Sequence, residues 1–180
     1  MTRLIAAVLA GAFVFLAGPA LAGSTECLYQ ALPVEKRDEV DRIYQRSLNA
    51  GLASSVYNRD DLFAALEACN VPTEGPKLEP ALKALAGREF ETQAGAWILE
   101  RPGMMVEQLE TAWKSLDPEL ARAIRDALDK DLEDPLERSL LAAREPFLKL
   151  LGLPVDRQSL DYARAYLTGR FAREAFESKF

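Results

Sequence analysis

From residue 25 onward, apolar residues recur three or four positions apart, with polar and charged residues between them. That spacing puts one apolar stripe on each of a series of amphipathic helices. Thr25 is placed to cap a short helix over Glu26 to Leu32, and Pro33 suits the first turn of a second. In this second helix Val40, Ile43, Tyr44 and Leu48 share a face, and Gly51 reads as its stop. Asn58-Arg59-Asp60-Asp61 has the pattern of a capping box, opening a helix whose buried face is Leu62, Ala65, Leu66 and Cys69. Asn70 and Pro72 close it.

Residues 72–80 hold three prolines and a glycine and read as a linker between two sub-lobes, 23–71 and 81–180. Beyond it Leu82, Leu85, Phe90, Trp97 and Ile98 mark one long helix, or two broken at Gly87. Pro102 is expected to open the next, with Met105, Leu109, Ala112, Trp113 and Leu116 inward. Asp117-Pro118 and Asp134-Pro135 each offer an N-cap carboxylate followed by proline at the first helical position. The helices they introduce present Leu120, Ile124, Ala127 and Leu128, then Leu136, Leu140, Ala143, Phe147, Leu150 and Leu151. Pro146 is a possible kink in the second, which Gly152 and Pro154 stop. No segment alternates apolar and polar residues with a period of two. The fold class expected is therefore all-α: a single globular domain over residues 23–180, of about six to eight helices.

The last predicted helix, from about Asp156, is apolar on two sides. Leu160, Leu167 and Phe171 form one face, flanked by Ala163 and Ala175. Tyr162, Tyr166, Gly169, Phe176 and Phe180 fall on nearly the opposite face, with Arg173 among them. Such a helix either runs between neighbours on both sides or offers its second face to a partner. Aromatic residues with arginine are enriched at binding hot spots, which makes Tyr162, Tyr166, Arg173 and Phe176 the candidate binding residues.

The first 22 residues follow a different pattern. Arg3 precedes an uncharged apolar run from Leu4 to Ala17, Pro19 breaks it, and Ala20-Leu21-Ala22 is a small-x-small cleavage pattern. This is the layout of a secretory signal peptide. The run is shorter than the ~20 residues a membrane-spanning helix needs, and Gly23, not a lipid-accepting cysteine, follows Ala22. The mature protein is expected to be periplasmic or secreted, with no transmembrane or lipid anchor.

Export changes the reading of the two cysteines. Cys27 and Cys69 have only each other to pair with, and in an oxidising compartment one structural disulfide is expected. The charge narrows the partners. The whole chain carries −6, and the mature chain, without Arg3, −7. Nucleic acid, which selects clustered Lys and Arg, is not expected. Residues from Arg157 to Phe180 carry five basic and three acidic groups, a net of +2 against −9 for the remainder. That asymmetry suggests another protein or an anionic envelope polymer as partner.

Candidate chemistry is thin. The chain has no histidine, which removes His-based acid–base catalysis and His-ligated metals. Nucleophile-elbow, Ser-x-x-Lys and phosphate-loop patterns are absent. Asp129 to Asp134 imitates the start of a calcium loop, but its sixth and twelfth positions hold Asp134 and Leu140 where Gly and Glu are needed. No metal or cofactor is expected. The leading functional expectation is an exported, non-catalytic protein that binds another macromolecule in the cell envelope. The alternative is an envelope hydrolase using two carboxylates, for which a pocket holding two acids, one of raised pKa, would be the sign.

Overall fold

The computed structural model describes residues 23–53 and 56–180. The expected signal peptide, residues 1–22, lies outside them. The described residues form an all-helical single domain with nine helices and no strand: α1 Thr25–Ala31, α2 Val34–Arg46, α3 Leu48–Ala53, α4 Arg59–Ala68, α5 Leu78–Leu99, α6 Val106–Lys114, α7 Pro118–Asp129, α8 Glu133–Leu151 and α9 Arg157–Glu177. None of these is long and apolar enough to cross a membrane.

Local chemistry sets most helix ends. The Asn58 side chain accepts from the Asp61 amide at 2.9 Å, and the Asp61 carboxylate accepts from the Asn58 amide at 2.8 Å, completing the expected capping box of α4. Asp61 also takes an ion pair from Lys36, and that hydrogen bond, with the cap, holds its carboxyl below its ordinary pKa. Asp117 caps α7 through the amides of Glu119 and Leu120, and Asp156 caps α9 through Ser159. Asn70 adopts φ +57° and Gly152 φ +69°, the left-handed conformations that end α4 and α8.

Several expected boundaries move. Ser24, not Thr25, caps α1; Thr25 is already helical and fully buried. Pro33 is the N-cap of α2 and not part of its first turn. Helix α2 ends at Arg46 with Ser47 as its C-cap, and Gly51 lies inside α3 against the Tyr44 ring, so it serves packing and is not a stop. Pro102 lies in a turn, and α6 begins at Val106 behind the N-cap Met105. Helix α8 starts at Glu133, which places Asp134 and Pro135 within its first turn instead of at the cap, and it runs through Pro146 to Leu151. The linker is shorter than expected, because Leu78 to Pro80 already belong to α5, where proline in the first turn forfeits no intrahelical bond. It leads into a helix that serves two cores. Ala81 and Leu85 complete an N-terminal core with Leu28, Leu32, Leu66 and Cys69, while Ala94 and Ile98 of the same helix enter the larger C-terminal core. Helix α5 is unbroken at Gly87 and carries both cores.

The two longest helices, α5 and α9, form the most extensive interhelical contact. They run antiparallel: Gly87 meets Gly169 and Arg173, Gly95 meets Tyr166, and Trp97 stacks on Tyr162. At the crossing the backbones touch. A Cβ at Gly169 would stand 2.4 Å from the Glu91 amide nitrogen, and one at Gly87 2.7 Å from the Gly169 carbonyl oxygen. Helices α7 and α8 cover the other side of α9, and the Cys27–Cys69 disulfide ties α1 to the end of α4.

Candidate functional site

Helix α9 is the middle of the domain, the first of the two arrangements its double apolar face allowed, and its aromatic residues are buried. Tyr162, Tyr166 and Phe176 are 7%, 2% and 8% exposed. Tyr166 stacks on Phe147, and Phe176 lies beneath the Lys83 and Lys179 ammonium groups. Arg173 pairs with Glu91 and Glu177. Arg170 grips Glu110 through both its terminal nitrogens, donates to the Tyr166 hydroxyl at 2.8 Å and lies over the Trp113 ring. The hydrogen bond from Arg170 lowers the Glu110 pKa against a smaller opposing effect of burial. Glu177 also accepts the Thr25 amide, joining the end of α9 to the start of α1. Of the basic residues that made the C-terminal segment look basic, Arg170 and Arg173 are therefore engaged by acids of α5, α6 and α9 itself, Arg164 by Glu137 of α8 and Lys179 by Asp129 of α7. A helix packed on two sides needs two apolar faces, and no outside partner is required to explain the stripe.

Of the four candidates, Tyr162 lines an open depression. Helices α2 and α3 lean away from α5 and α9, leaving three adjoining hollows of about 390, 450 and 500 Å³. The first shares Leu48, Asn49, Arg157 and Asp161 with the second, and the second shares Gln45, Trp97 and Tyr162 with the third, so they run on as one groove. Its floor is the Trp97–Tyr162 pair, parallel to within 1° with ring centroids 4.1 Å apart, and the Arg101 guanidinium lies over Trp97. Its rims are polar: Gln45 and Asn49 on one side, Gln158, Asp161 and Thr168 on the other. Charges are mixed, with Arg46, Arg157 and Arg164 against Asp41, Glu100 and Asp161. One of the three arginines, Arg164, is already paired with Glu137.

Phe90 lines this groove and also a separate cavity of about 280 Å³ between α2, α4 and α5. The cavity is apolar except for Glu89 and Tyr57. Glu89 is pushed up to about 7, first because burial disfavours its charge and then because Asp41 repels it. Asp41 itself accepts a hydrogen bond from Gln93. Tyr44 and Tyr57 are held above the ordinary tyrosine range by burial and by the Glu89 charge, and neither buried hydroxyl has a hydrogen-bond partner among the described residues. The acid pair escaped the sequence reading because Asp41 and Glu89 sit on different helices far apart in the chain. No local spacing could have joined them.

The raised Glu89 carboxyl has a stability consequence. It binds more protons folded than unfolded between about pH 4.5 and 7, so stability falls as pH rises through that window and levels off above it. The shift corresponds to roughly 3 kcal/mol. The melting temperature is expected to be several degrees lower at pH 8 than at pH 5, and Glu89→Gln should flatten the profile and raise the value at pH 8. A wild-type profile flat or rising from pH 5 to 8, unchanged by the substitution, would contradict the burial of this charge.

No three or more acidic, His or Cys side chains gather to hold a metal ion among the described residues. Compared with known proteins, the chain matches no family model, no curated protein and no solved structure.

Proposed function

We propose that this is an exported, non-catalytic binding protein that holds an extended segment of another protein of the cell envelope in the groove between α2–α3 and α5–α9. The observation that carries the reading is the Trp97–Tyr162 floor flanked by amide and carboxylate side chains. The edge of the stacked pair offers contact to an apolar side chain, while Gln45, Asn49, Gln158 and Asp161 suit the donors and acceptors of an extended main chain. The groove's balanced charge favours polypeptide over an anionic polymer, which would select a basic surface. Export is supported by the N-terminal sequence pattern and by the disulfide.

A photo-crosslinking residue at Asn49 is expected to capture one envelope protein in cells, and one at Arg122, exposed on α7, to capture none. The double variant Gln45→Ala, Asp161→Ala should abolish the adduct while shifting the melting temperature by no more than about 2 °C, since both side chains are exposed. Equal adducts from both sites, or an adduct that survives the double variant, would reject the groove as the binding site.

A second reading, the two-carboxylate hydrolase, is favoured by one observation. Glu89, pushed up to about 7, keeps its proton to higher pH than an ordinary carboxyl and stands near Asp41, the division of roles that acid–base hydrolysis uses. The cavity at Glu89 is walled by aliphatic and aromatic side chains, however, and offers few groups to hold a sugar or peptide bond. Release of reducing sugar or peptide from cell-envelope material, lost in Glu89→Gln, would reverse the order of the two readings.

A further inference from the structure

The Glu89 cavity is separate from the groove floor and has its own chemistry. Val40, Val56, Leu62, Leu82, Leu85 and Phe90 give it apolar walls. Its polar groups are an acid and a phenol, the phenol Oη being buried without a partner. A second unpartnered hydroxyl, on Tyr44, and a second carboxylate, on Asp41, stand close enough to act on Glu89 electrostatically. Of the basic groups nearby, Arg88 pairs with Glu26, while Arg37 lies over the Tyr29 ring, acts on Tyr57 from outside the cavity lining and keeps a buried Nε without a hydrogen-bond partner. The cavity thus combines an acid, an unpartnered phenol oxygen and hydrocarbon walls, with a second carboxylate nearby. A ligand that answers all three carries a positive charge, donates hydrogen bonds and has an apolar body.

We propose that this cavity binds a small organic amine, its ammonium group donating to the Glu89 carboxylate and the Tyr57 hydroxyl and its hydrocarbon body lying against Leu62, Leu82 and Leu85. An ammonium has three donors, enough for both oxygens. An anion would meet two carboxyl groups, and a neutral alcohol would leave the carboxylate uncompensated in an apolar site. Burial and the Asp41 carboxylate on α2 set the protonation of Glu89, whose charge in turn acts on Tyr44 on α2, Tyr29 on α1 and Tyr57 before α4; Arg37 on α2 and Arg88 on α5 act on Tyr29. Because Glu89 must lose its proton to pair with the amine, binding should strengthen as pH rises.

Calorimetric titration of the mature protein with hexylammonium chloride and with 1-hexanol tests this. At pH 8 the amine should bind at least about tenfold more tightly than the alcohol, and this preference should shrink to about threefold or less at pH 5.5. Glu89→Gln should remove the preference while hexanol still binds, and Ala86→Trp, at the exposed rim, should exclude both ligands. Equal affinities at pH 8, a preference retained by Glu89→Gln, or no binding of either compound at about 10 mM would overturn the proposal. If Glu89→Gln does not fold, loss of binding in Ala86→Trp together with the pH dependence still decides it. These outcomes are independent of crosslinking at Asn49, so this site and the groove stand or fall separately.

Discussion

Gly169→Ala is expected to destabilise the protein by about 3 kcal/mol or more, lowering the melting temperature by roughly 6–12 °C. The added methyl would stand 2.4 Å from the Glu91 amide nitrogen and 2.6 Å from the Gly87 carbonyl oxygen. Both are helix backbone atoms and cannot turn aside as a side chain does. The two helices would have to separate, and with them the Glu91–Arg173 pair and the Trp97–Tyr162 stack that lie along the same contact. Gly87→Ala should behave similarly. Gly95→Ala is the internal control. It lies on the same face of α5, but its nearest neighbour is the Tyr166 ring at 3.4 Å, an ordinary contact. There the higher helix propensity of alanine should prevail and stabilise by up to about 1 kcal/mol. Thermal melts of the three variants check the argument. If all three shift alike, the α5–α9 contact is not the backbone-to-backbone packing described above.

Loss of the disulfide should be comparably severe. Cys27 and Cys69 are separated by 42 residues, and closing a loop of that length reduces the freedom of the unfolded chain by about 4 kcal/mol. The bond also serves a weak point. Helices α1 and α4 contribute only a few large side chains each to the N-terminal core, chiefly Leu28, Leu32 and Leu66. Cys69→Ser should therefore lower the melting temperature by about 8–16 °C. The effect should concentrate in the N-terminal part. Hydrogen exchange in the variant should rise first in α1 and α4, while α8 and the C-terminal half of α9 retain protection. Uniform loss of protection across all helices would show instead that the two cores unfold as one unit.

The expected position of the pH-dependent group differs from where a sequence reader would look. Twenty-eight acidic residues offer no distinguishing mark on Glu89, whose neighbours Arg88 and Phe90 are unremarkable. Its character comes from Asp41 and from burial between α2 and α5. The groove was legible only in fragments. Trp97 and Tyr162 stand out as large aromatics, but Gln45 and Asn49 have no marker of any kind, because they act through position alone.

Features determined by neighbours in sequence could be read without coordinates. The helical class follows from apolar spacing, the ends of α4 and α7 from Asn58-x-x-Asp61 and Asp117-Pro118, and the disulfide from having only two cysteines. Each depends on residues within a turn or two, or on simple elimination. Boundaries slipped where two adjacent residues could serve as cap, as at Ser24 and Thr25, or where a glycine was taken for a stop, as at Gly51. What α9 does with its two apolar faces was decided only by tertiary structure. Periodicity shows that a face avoids water; it does not show whether α5 or another molecule covers it. Here α5 lies on one side and α8 on the other, so Tyr166 and Phe176 are core, and the open surface lies instead where α2 and α3 stand off from that pair.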